Sequence, residues 1–559
     1  MAIDLPPVIP PAAASADAVI EARRNEGGVQ ATIDGVAVKV YGNQYLSDSD
    51  LVAVLESAAT PAEAVIKLAK RYYEDGHLLV SVNYARLLDS IAIIVHQKSL
   101  NQVVGAEELS SYFKGLEGDS DLKMSEFHRA KVLADLRSRR AGYNYEISYT
   151  EQGLNAVDMV LTRTAVENHK ATEFIVEANN KGSRFLGRYF GLAGVKHKTE
   201  SGTQISASYQ TAFTDLGESR DGEELNQVSV SVDHPFAQGL YGIDLNYVDY
   251  LREPEVATVQ AGDCFDLLGI PLFCQPNQII NKGVELDAEI IQATLRGEQV
   301  LYSTPWKQFS LTQRIEFVDS TIERKDSGEM ILDENYQVLE LGARYSQNRY
   351  QSKEHNASRF AANLRLRGGF GDGGTLDSFD EYREPFDTAG VTPPDVAAAA
   401  RTAEFIALLP SASYEQRIAD GLTFKANARG QLSDSQLPQQ QQFVLGGMDT
   451  LSAYLPGVLI GDEGYHLSMA LDKAIGELAG IRITPSVFAE MGASRYQDAS
   501  GELGDMQSLA DAGLRVKFEY GKWLYSEVVA ATPVYDDVAD EDFIERLEAD
   551  FYWRLRMTF

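Results

Sequence analysis

Leu547-Glu548-Ala549-Asp550-Phe551-Tyr552-Trp553-Arg554-Leu555-Arg556-Met557-Thr558-Phe559 closes the chain. Every odd position is apolar. Of the even ones, Glu548, Asp550, Arg554, Arg556 and Thr558 are polar and Tyr552 is amphipathic. Side chains alternate faces along a strand, so this stretch predicts one greasy and one charged face. In a water-soluble sheet the greasy face needs a second layer, and after Phe559 no residues follow to provide one. A barrel in lipid needs none, because hydrocarbon meets its outer face and water its inner face. Phe551, Trp553 and Phe559 would then mark the strand that closes the barrel. The edge strand of a soluble sandwich has the same alternation, so the rest of the chain must decide.

From about residue 171 the two-residue rhythm recurs. Ile205, Ala207 and Tyr209 alternate with Ser206, Ser208 and Gln210; Tyr241, Ile243, Leu245 and Tyr247 enclose Gly242, Asp244 and Asn246. Val284, Leu286, Ala288 and Ile290 enclose Glu285, Asp287 and Glu289; Phe309, Leu311, Ile315 and Phe317 oppose Ser310, Thr312, Arg314 and Glu316. Leu339, Leu341, Ala343 and Tyr345 continue the series, as do Leu364 with Leu366 and Phe424 with Ala426. The polar faces carry charges of both signs, which suits a wet lumen and not a packed core. Roughly 390 residues at about 24 per strand and turn predict about 16 antiparallel strands. Residues 251–283 and 368–401 are too long for tight turns and read as surface loops.

Ahead of the barrel the pattern is mixed. Residues 1–32 are a Pro- and Ala-rich tether with a short helix around Ala14–Asn25. Residues 33–98 read β-α-α-β-β, with Ser47 capping one helix and Thr60-Pro61-Ala62-Glu63 opening the next as a capping box. Residues 99–166 repeat the plan, and 167–559 form the barrel. The expected fold is thus two α+β modules followed by an all-β transmembrane barrel.

The totals exclude several functions. Net charge is −32, with 82 acids against 50 bases, so nucleic acid is not an expected partner. No run of about 18 uncharged apolar residues exists, so no helical span is expected. Residues 1–11 lack the basic start and apolar core of a signal peptide, and a leader removed before this point is expected. Cys264 and Cys274 lie in a turn-rich segment, outside any metal-type spacing, and predict a loop disulfide in an oxidising compartment. No catalytic motif, metal set or cofactor loop is found, so an enzyme is the least expected class.

Small β-α-α-β-β units before a barrel resemble POTRA domains. Two of them with about 16 strands resemble the two-partner secretion transporters of the FhaC and hemolysin-activator type, relatives of BamA. The sharpest resemblance lies in a loop at 443–466, where Gly446-Gly447, Tyr454 and Gly461-Asp462-Glu463-Gly464 match the family's motifs. Asn180-Lys181-Gly182-Ser183 is similar to the family's opening hairpin. The family's tip arginine falls on Ser452, and its wall motif falls on Phe488-Ala489-Glu490-Met491-Gly492. Alternation points Phe488 and Glu490 inward, leaving a hydrogen bond Ser452–Glu490 in place of an ion pair. Arg482, on the same face, is expected to neutralise Glu490.

The resemblance implies a protein of the bacterial outer membrane with a periplasmic arm. It would export an unfolded secreted partner caught by the POTRA domains. Lipid and, during biogenesis, the barrel-assembly machinery would be its other partners, and it would be a monomer. The N-terminal helix would plug the lumen. A BamA-like insertase working at the seam of first and last strands is the alternative, and a passive porin a further one.

Overall fold

The computed structural model describes residues 9, 11–24, 28–88, 90–153, 155–182, 187–213, 224–252, 255–260, 264–267, 270–274, 278–283, 285–328, 330–349, 357–372, 402–497 and 502–559. The first module contains β1 (Ala12–Ala13), α1 (Ala16–Arg24), β2 (Val29–Ile33), β3 (Val36–Tyr41), α2 (Asp48–Glu56), α3 (Pro61–Glu74), β4 (Val80–Arg86) and β5 (Ser90–Gln97). The second contains β6 (Ser99–Gly105), α4 (Glu107–Phe113), α5 (Met124–Arg140), β7 (Tyr143–Glu151) and β8 (Ala156–Ala165). The caps behave as read. Ser47 Oγ accepts from Asp50 N, and Thr60 Oγ1 from Glu63 N. Glu63 reaches back to Ala59 N, one residue before the expected Thr60. Leu51, Leu55, Val65, Leu68 and Tyr72 then bury one helical face against Val38, Val82, Ile93 and Val95.

The sheet orders are β1-β4-β5-β3-β2 and β6-β8-β7. This corrects the reading of residues 1–32 as a tether: β2 is an edge strand of the first sheet and β1 pairs with β4. The expected plug helix, α1, packs against β5 of that sheet, with Ala18 fully buried.

The barrel opens with β9 (Thr172–Asn179), β10 (Tyr189–Lys198), β11 (Gln204–Phe213), β12 (Glu224–Pro235) and β13 (Leu240–Arg252). Two hairpins follow outside it: β14 (Glu255–Gln260) pairs with β17 (Gln278–Gly283), and β15 (Cys264–Leu267) with β16 (Ile270–Cys274). The wall continues with β18 (Leu286–Ser303), β19 (Lys307–Arg324), β20 (Met330–Arg349), β21 (Ser358–Asp372), β22 (Phe405–Ala419) and β23 (Leu422–Ser433). After the short hairpin β24 (Phe443–Leu445) and β25 (Leu459–Gly461) come β26 (Glu463–Lys473), β27 (Gly476–Leu478), β28 (Ile481–Arg495), β29 (Gln507–Tyr520) and β30 (Leu524–Asp537). A one-turn helix α6 (Glu541–Glu545) precedes β31 (Tyr552–Thr558). β26 and the three-residue β27 both pair with β28 and form one wall strand, so sixteen strands close the barrel, with β31 against β9.

Exposure confirms the outer face. Ile243, Leu245, Leu311, Ile315, Phe317, Leu339 and Leu341 are exposed, while Ser310, Glu316 and Glu340 are buried. From Phe309 to Phe317 the outward row of β19 spans about nine residues, the length a tilted strand needs to cross lipid. Beyond it the outward positions turn polar, through Asp319, Thr321 and Glu323.

The same change explains a reversed phase in β18. Leu286 and Ala288 face inward, joining Leu225, Tyr250, Ile322 and Leu332, and Asp287 and Glu289 face out. This end of the strand stands clear of the lipid, so its outer face meets water and its inner face makes a small core. The terminal strand is also shorter than its alternation suggests. It begins at Tyr552, and Leu547 and Ala549 are instead buried inside the barrel mouth. Phe551 and Phe559 face outward.

The arm is fastened to the barrel rim. Arg140 of α5 pairs with Asp233 of β12, both buried, and donates to Gly202 O. Arg296 holds the other oxygen of Asp233 at 3.0 Å, and Tyr112 OH donates to Pro235 O.

Candidate functional site

β23 and β26 are neighbours in the wall, yet the chain between them does not turn back at once. Residues 434–462 fold into the lumen. Phe443, Leu445, Met448, Leu451, Tyr454, Leu455 and Leu459 form a buried cluster with Phe488, Leu509 and Val529 of the wall and Ile544, Leu547, Ala549 and Tyr552 of the last connection. A barrel lumen is polar by default. An apolar cluster there holds the loop as a domain core holds a helix.

The glycines of the motif make this packing possible. Gly446 and Gly447 have φ of 103° and 90°, where other residues are strained. On the wall, a Cβ at Gly492 would lie 2.8 Å from Leu445 Cδ1, and one at Gly464 would lie 2.4 Å from Phe443 Cδ1. Side chains are thus missing where the loop inserts.

At the tip, Ser452 donates to Glu490 Oε2 twice, from its backbone N–H (3.0 Å) and from its hydroxyl (2.8 Å). The expected hydrogen bond is present. The next amide, Ala453 N–H, donates to Asp511 Oδ2 at 2.8 Å. Glu490 and Asp511 are direct register partners on β28 and β29, so two adjacent wall carboxylates receive two successive loop amides. Ser452 and Asp511 are both fully buried.

Arg482 takes no part. It is largely exposed and lies 3.7 Å from Glu519 and 3.8 Å from Glu477. Eight residues at about 3.3 Å each put it roughly 26 Å along the strand from Glu490. The nearby cation is Arg515 of β29, which lies over the Phe488 ring, donates to Met448 O (3.3 Å) and pairs with Glu527 (3.3 Å). Its contact with the loop is a backbone carbonyl.

Further bonds fix the same tip. Tyr552 OH donates to Tyr454 O (2.6 Å), Leu455 N–H to Leu547 O (2.7 Å) and Ala549 N–H to Ala453 O (2.8 Å). His466 Nε2 meets Thr450 O at 2.8 Å, and Lys181 pairs with Asp449 at 2.6 Å. Asn180 acts beside it at the seam: its side chain accepts from Trp553 N–H (2.6 Å) and donates to Phe551 O (3.0 Å).

Asp462 holds the foot of the loop. Its two oxygens accept from Leu437 N–H (2.8 Å) and Gln497 N–H (2.9 Å), tying the start of the loop to the β28–β29 connection. Gly461 approaches Arg495 so closely that a Cβ would lie 2.4 Å from its carbonyl oxygen.

One anchor was not anticipated. The loop begins before residue 443, and Gln439-Gln440-Gln441-Gln442 reaches the opposite wall. Gln440 donates to Ser320 Oγ (2.7 Å), and Gln441 donates to Glu316 (2.9 Å) and accepts from Arg367 (2.8 Å). Four amides in a row after Pro438 were the available signal, since Gln is long enough to reach and both donates and accepts. Gln441→Ala removes the partner of one oxygen of buried Glu316, leaving Arg314 on the other at 3.1 Å, and should cost about 1–3 kcal/mol. A lower temperature for loss of the fast-migrating folded band on SDS gels checks this.

Residues 318–516, which contain the loop and Glu490, Asp511 and Arg515 of the wall, match the family model described as haemolysin secretion/activation protein ShlB/FhaC/HecB. Among solved structures the chain is similar to CdiB from Escherichia coli, with a TM-score of 0.66 at 14% identity over 96% of this chain and 92% of that one. It is also similar to CdiB from Acinetobacter baumannii, with a TM-score of 0.60 at 14% identity over 96% and 91%. At such identity the shared property is the fold. No curated protein matches the sequence. The sequence match falls on the lumen loop and on Glu490 and Asp511 of the wall, and the shared fold runs from arm to last strand: residues 318–516 are similar to the ShlB/FhaC/HecB haemolysin secretion/activation family, and the whole chain has the fold of an arm-bearing outer-membrane barrel.

Proposed function

We propose that the protein exports an unfolded partner protein from the periplasm to the cell surface, the partner being caught by the two POTRA-type modules and passed through the barrel. The observation that carries this reading is a wet lumen closed by a pinned loop, with an arm fastened beneath it. Away from the loop's anchors, the inner wall of β11, β12 and β13 presents Ser206, Ser208, Gln210, Gln227, Ser229, Ser231 and Asn246. Gln227 and Ser229 both donate to Asn246 Oδ1, at 2.8 and 2.7 Å. Short neutral groups bonded to one another offer an extended chain few charges and no apolar surface to stick to. No nucleotide is needed if folding outside supplies direction.

The apolar outer rows are met by lipid, the barrel is inserted by the barrel-assembly machinery, and the protein works as a monomer. In a strain lacking it, the partner should vanish from the surface and build up in the periplasm. Unchanged surface display would end this reading.

Cys264 stands directly opposite Cys274 in the β15–β16 hairpin, the register a cross-strand disulfide requires. Alkylation of the unfolded protein should label neither cysteine before reduction and both after it, read by mass.

A further inference from the structure

α1 hides polar atoms that have nothing to bond. Ala12 and Ala13 run beside Asn83 and Tyr84 of β4, and Ala14 N–H donates to Tyr84 O at 2.8 Å. The chain then crosses the outer face of β5 as α1, where Ala92 and Ile94 of the strand and Ala18 of the helix are all buried. His96 is the next residue on that face. It stands level with Ser81 of β4, which points away from the core that takes Val80 and Val82. Ser81 is fully buried. Among the described residues neither Ser81 Oγ nor His96 Nε2 has a hydrogen-bond partner, although both atoms are shut off from water.

A buried polar atom left unbonded is costly, and water bonds it as soon as its cover lifts. The cover here is light. It has two register positions on β4 and a nine-residue helix, shorter than helices that persist alone. The buried core of the module lies within residues 33–95 and does not include it. The module therefore keeps its core when this strap leaves.

Imidazole changes charge near neutral pH. Around the ring, α1 supplies Glu21 and β7 supplies Glu151, which pairs with buried Lys98 between β5 and β6. β3 sets Lys39 and Tyr41 level with Ala92 and Ile94, Lys39 lying over the Tyr41 ring, and β4 offers only uncharged Ser81. Burial holds the His96 ring below the usual imidazole range; Lys98 adds to this, and Glu21 and Glu151 oppose it. Lifting α1 wets the ring and removes the largest of these causes. The released state thus takes up a proton at higher pH than the seated one. Seating is strongest above the released ring's value of about 6.5 and weakens as pH falls below it.

We propose that residues 11–24 are an acid-released latch on the first module, held shut by a neutral His96 and shed when its ring takes up a proton, while α2 and α3 stay in place. The latch needs no cargo and goes beyond the export reading above.

Hydrogen exchange of the full chain in detergent, followed by mass from about pH 7.5 to about pH 5.5 and corrected for the intrinsic rate at each pH, reads the seating. The amides of Ala14, Ala18 and Val19 report the strap, and those of α2 and α3 report the core. Strap protection should fall towards tenfold per pH unit below about pH 6.5, with α2 and α3 unchanged. His96→Gln, uncharged throughout, should stay seated with no slope. His96→Lys, charged throughout, should leave the strap unprotected at every pH and the core protected. Should either variant lose the core, the parent's own pH profile decides. Strap protection in the parent that does not change with pH overturns the proposal. So does a His96→Gln protein that keeps the parent's slope, or loss of α2 and α3 protection together with the strap in the parent.

Discussion

Glu490→Ala should release the lumen loop and convert a mostly closed channel into one that opens for long periods in planar bilayers. The substitution removes the acceptor for two donors at once, Ser452 N–H and Ser452 Oγ, in a place where Ser452 is fully buried. The hydroxyl keeps Met448 O at 3.3 Å, but the amide is left without a partner, and a buried donor so left costs about 1–3 kcal/mol. Water entering from the lumen recovers part of this, but only after the tip has lifted from Phe488 and Leu509. A loss of about 1–3 kcal/mol in the pinned state corresponds to a fall in the closed-to-open ratio of roughly five- to a hundred-and-fiftyfold. Glu490→Gln keeps an acceptor oxygen and should have a much smaller effect. Asp511→Ala should act as Glu490→Ala does, through Ala453 N–H. If single-channel recordings of Glu490→Ala and Asp511→Ala match the parent, the two carboxylates do not hold the loop.

The same site shows what the sequence could and could not disclose. Glu490 was legible because alternation along β28 is forced by lipid on one side and water on the other. One inward position fixes the rest of the strand. Ser452 was legible because the family resemblance, carried by the two glycine pairs that bracket it, puts the loop tip there. Asp511 was not, since nothing in Leu509-Ala510-Asp511-Ala512-Gly513 says which acid on a neighbouring strand stands level with Glu490. That is a matter of register between segments some twenty residues apart, set by the whole ladder. Arg482 was chosen by face alone, and face without register put it at the wrong height. The phase of Leu286 and Ala288 failed for another reason. The rule that apolar means outward holds only within the lipid band, and β18 runs past it. Residues 11–14 were too few to carry any period, so the strand they form was invisible.

The largest effect on export should come from stapling the loop tip. Tyr454 and Glu548 face each other as an isolated antiparallel bridge, flanked by the bonds Leu455 N–H to Leu547 O and Ala549 N–H to Ala453 O. Those flanking bonds make it a non-hydrogen-bonded pair, whose Cα separation of about 4.5 Å suits a disulfide. In a background without Cys264 and Cys274, Tyr454→Cys with Glu548→Cys should stop export when oxidised and recover it on reduction. The loop reaches from Glu316 and Ser320 on one wall to Glu490 and Asp511 on another, so a polypeptide crossing the lumen must move it. The matching seam staple is Val176→Cys with Met557→Cys, partners across β9 and β31. That junction has five register positions, against seventeen between β18 and β19, and is the place an insertase would open. If cargo crosses the lumen, the oxidised seam staple exports as the parent does. Export that survives the loop staple and fails with the seam staple would mean the cargo leaves sideways through the wall. The lumen loop would then be a brace for the barrel and not its gate.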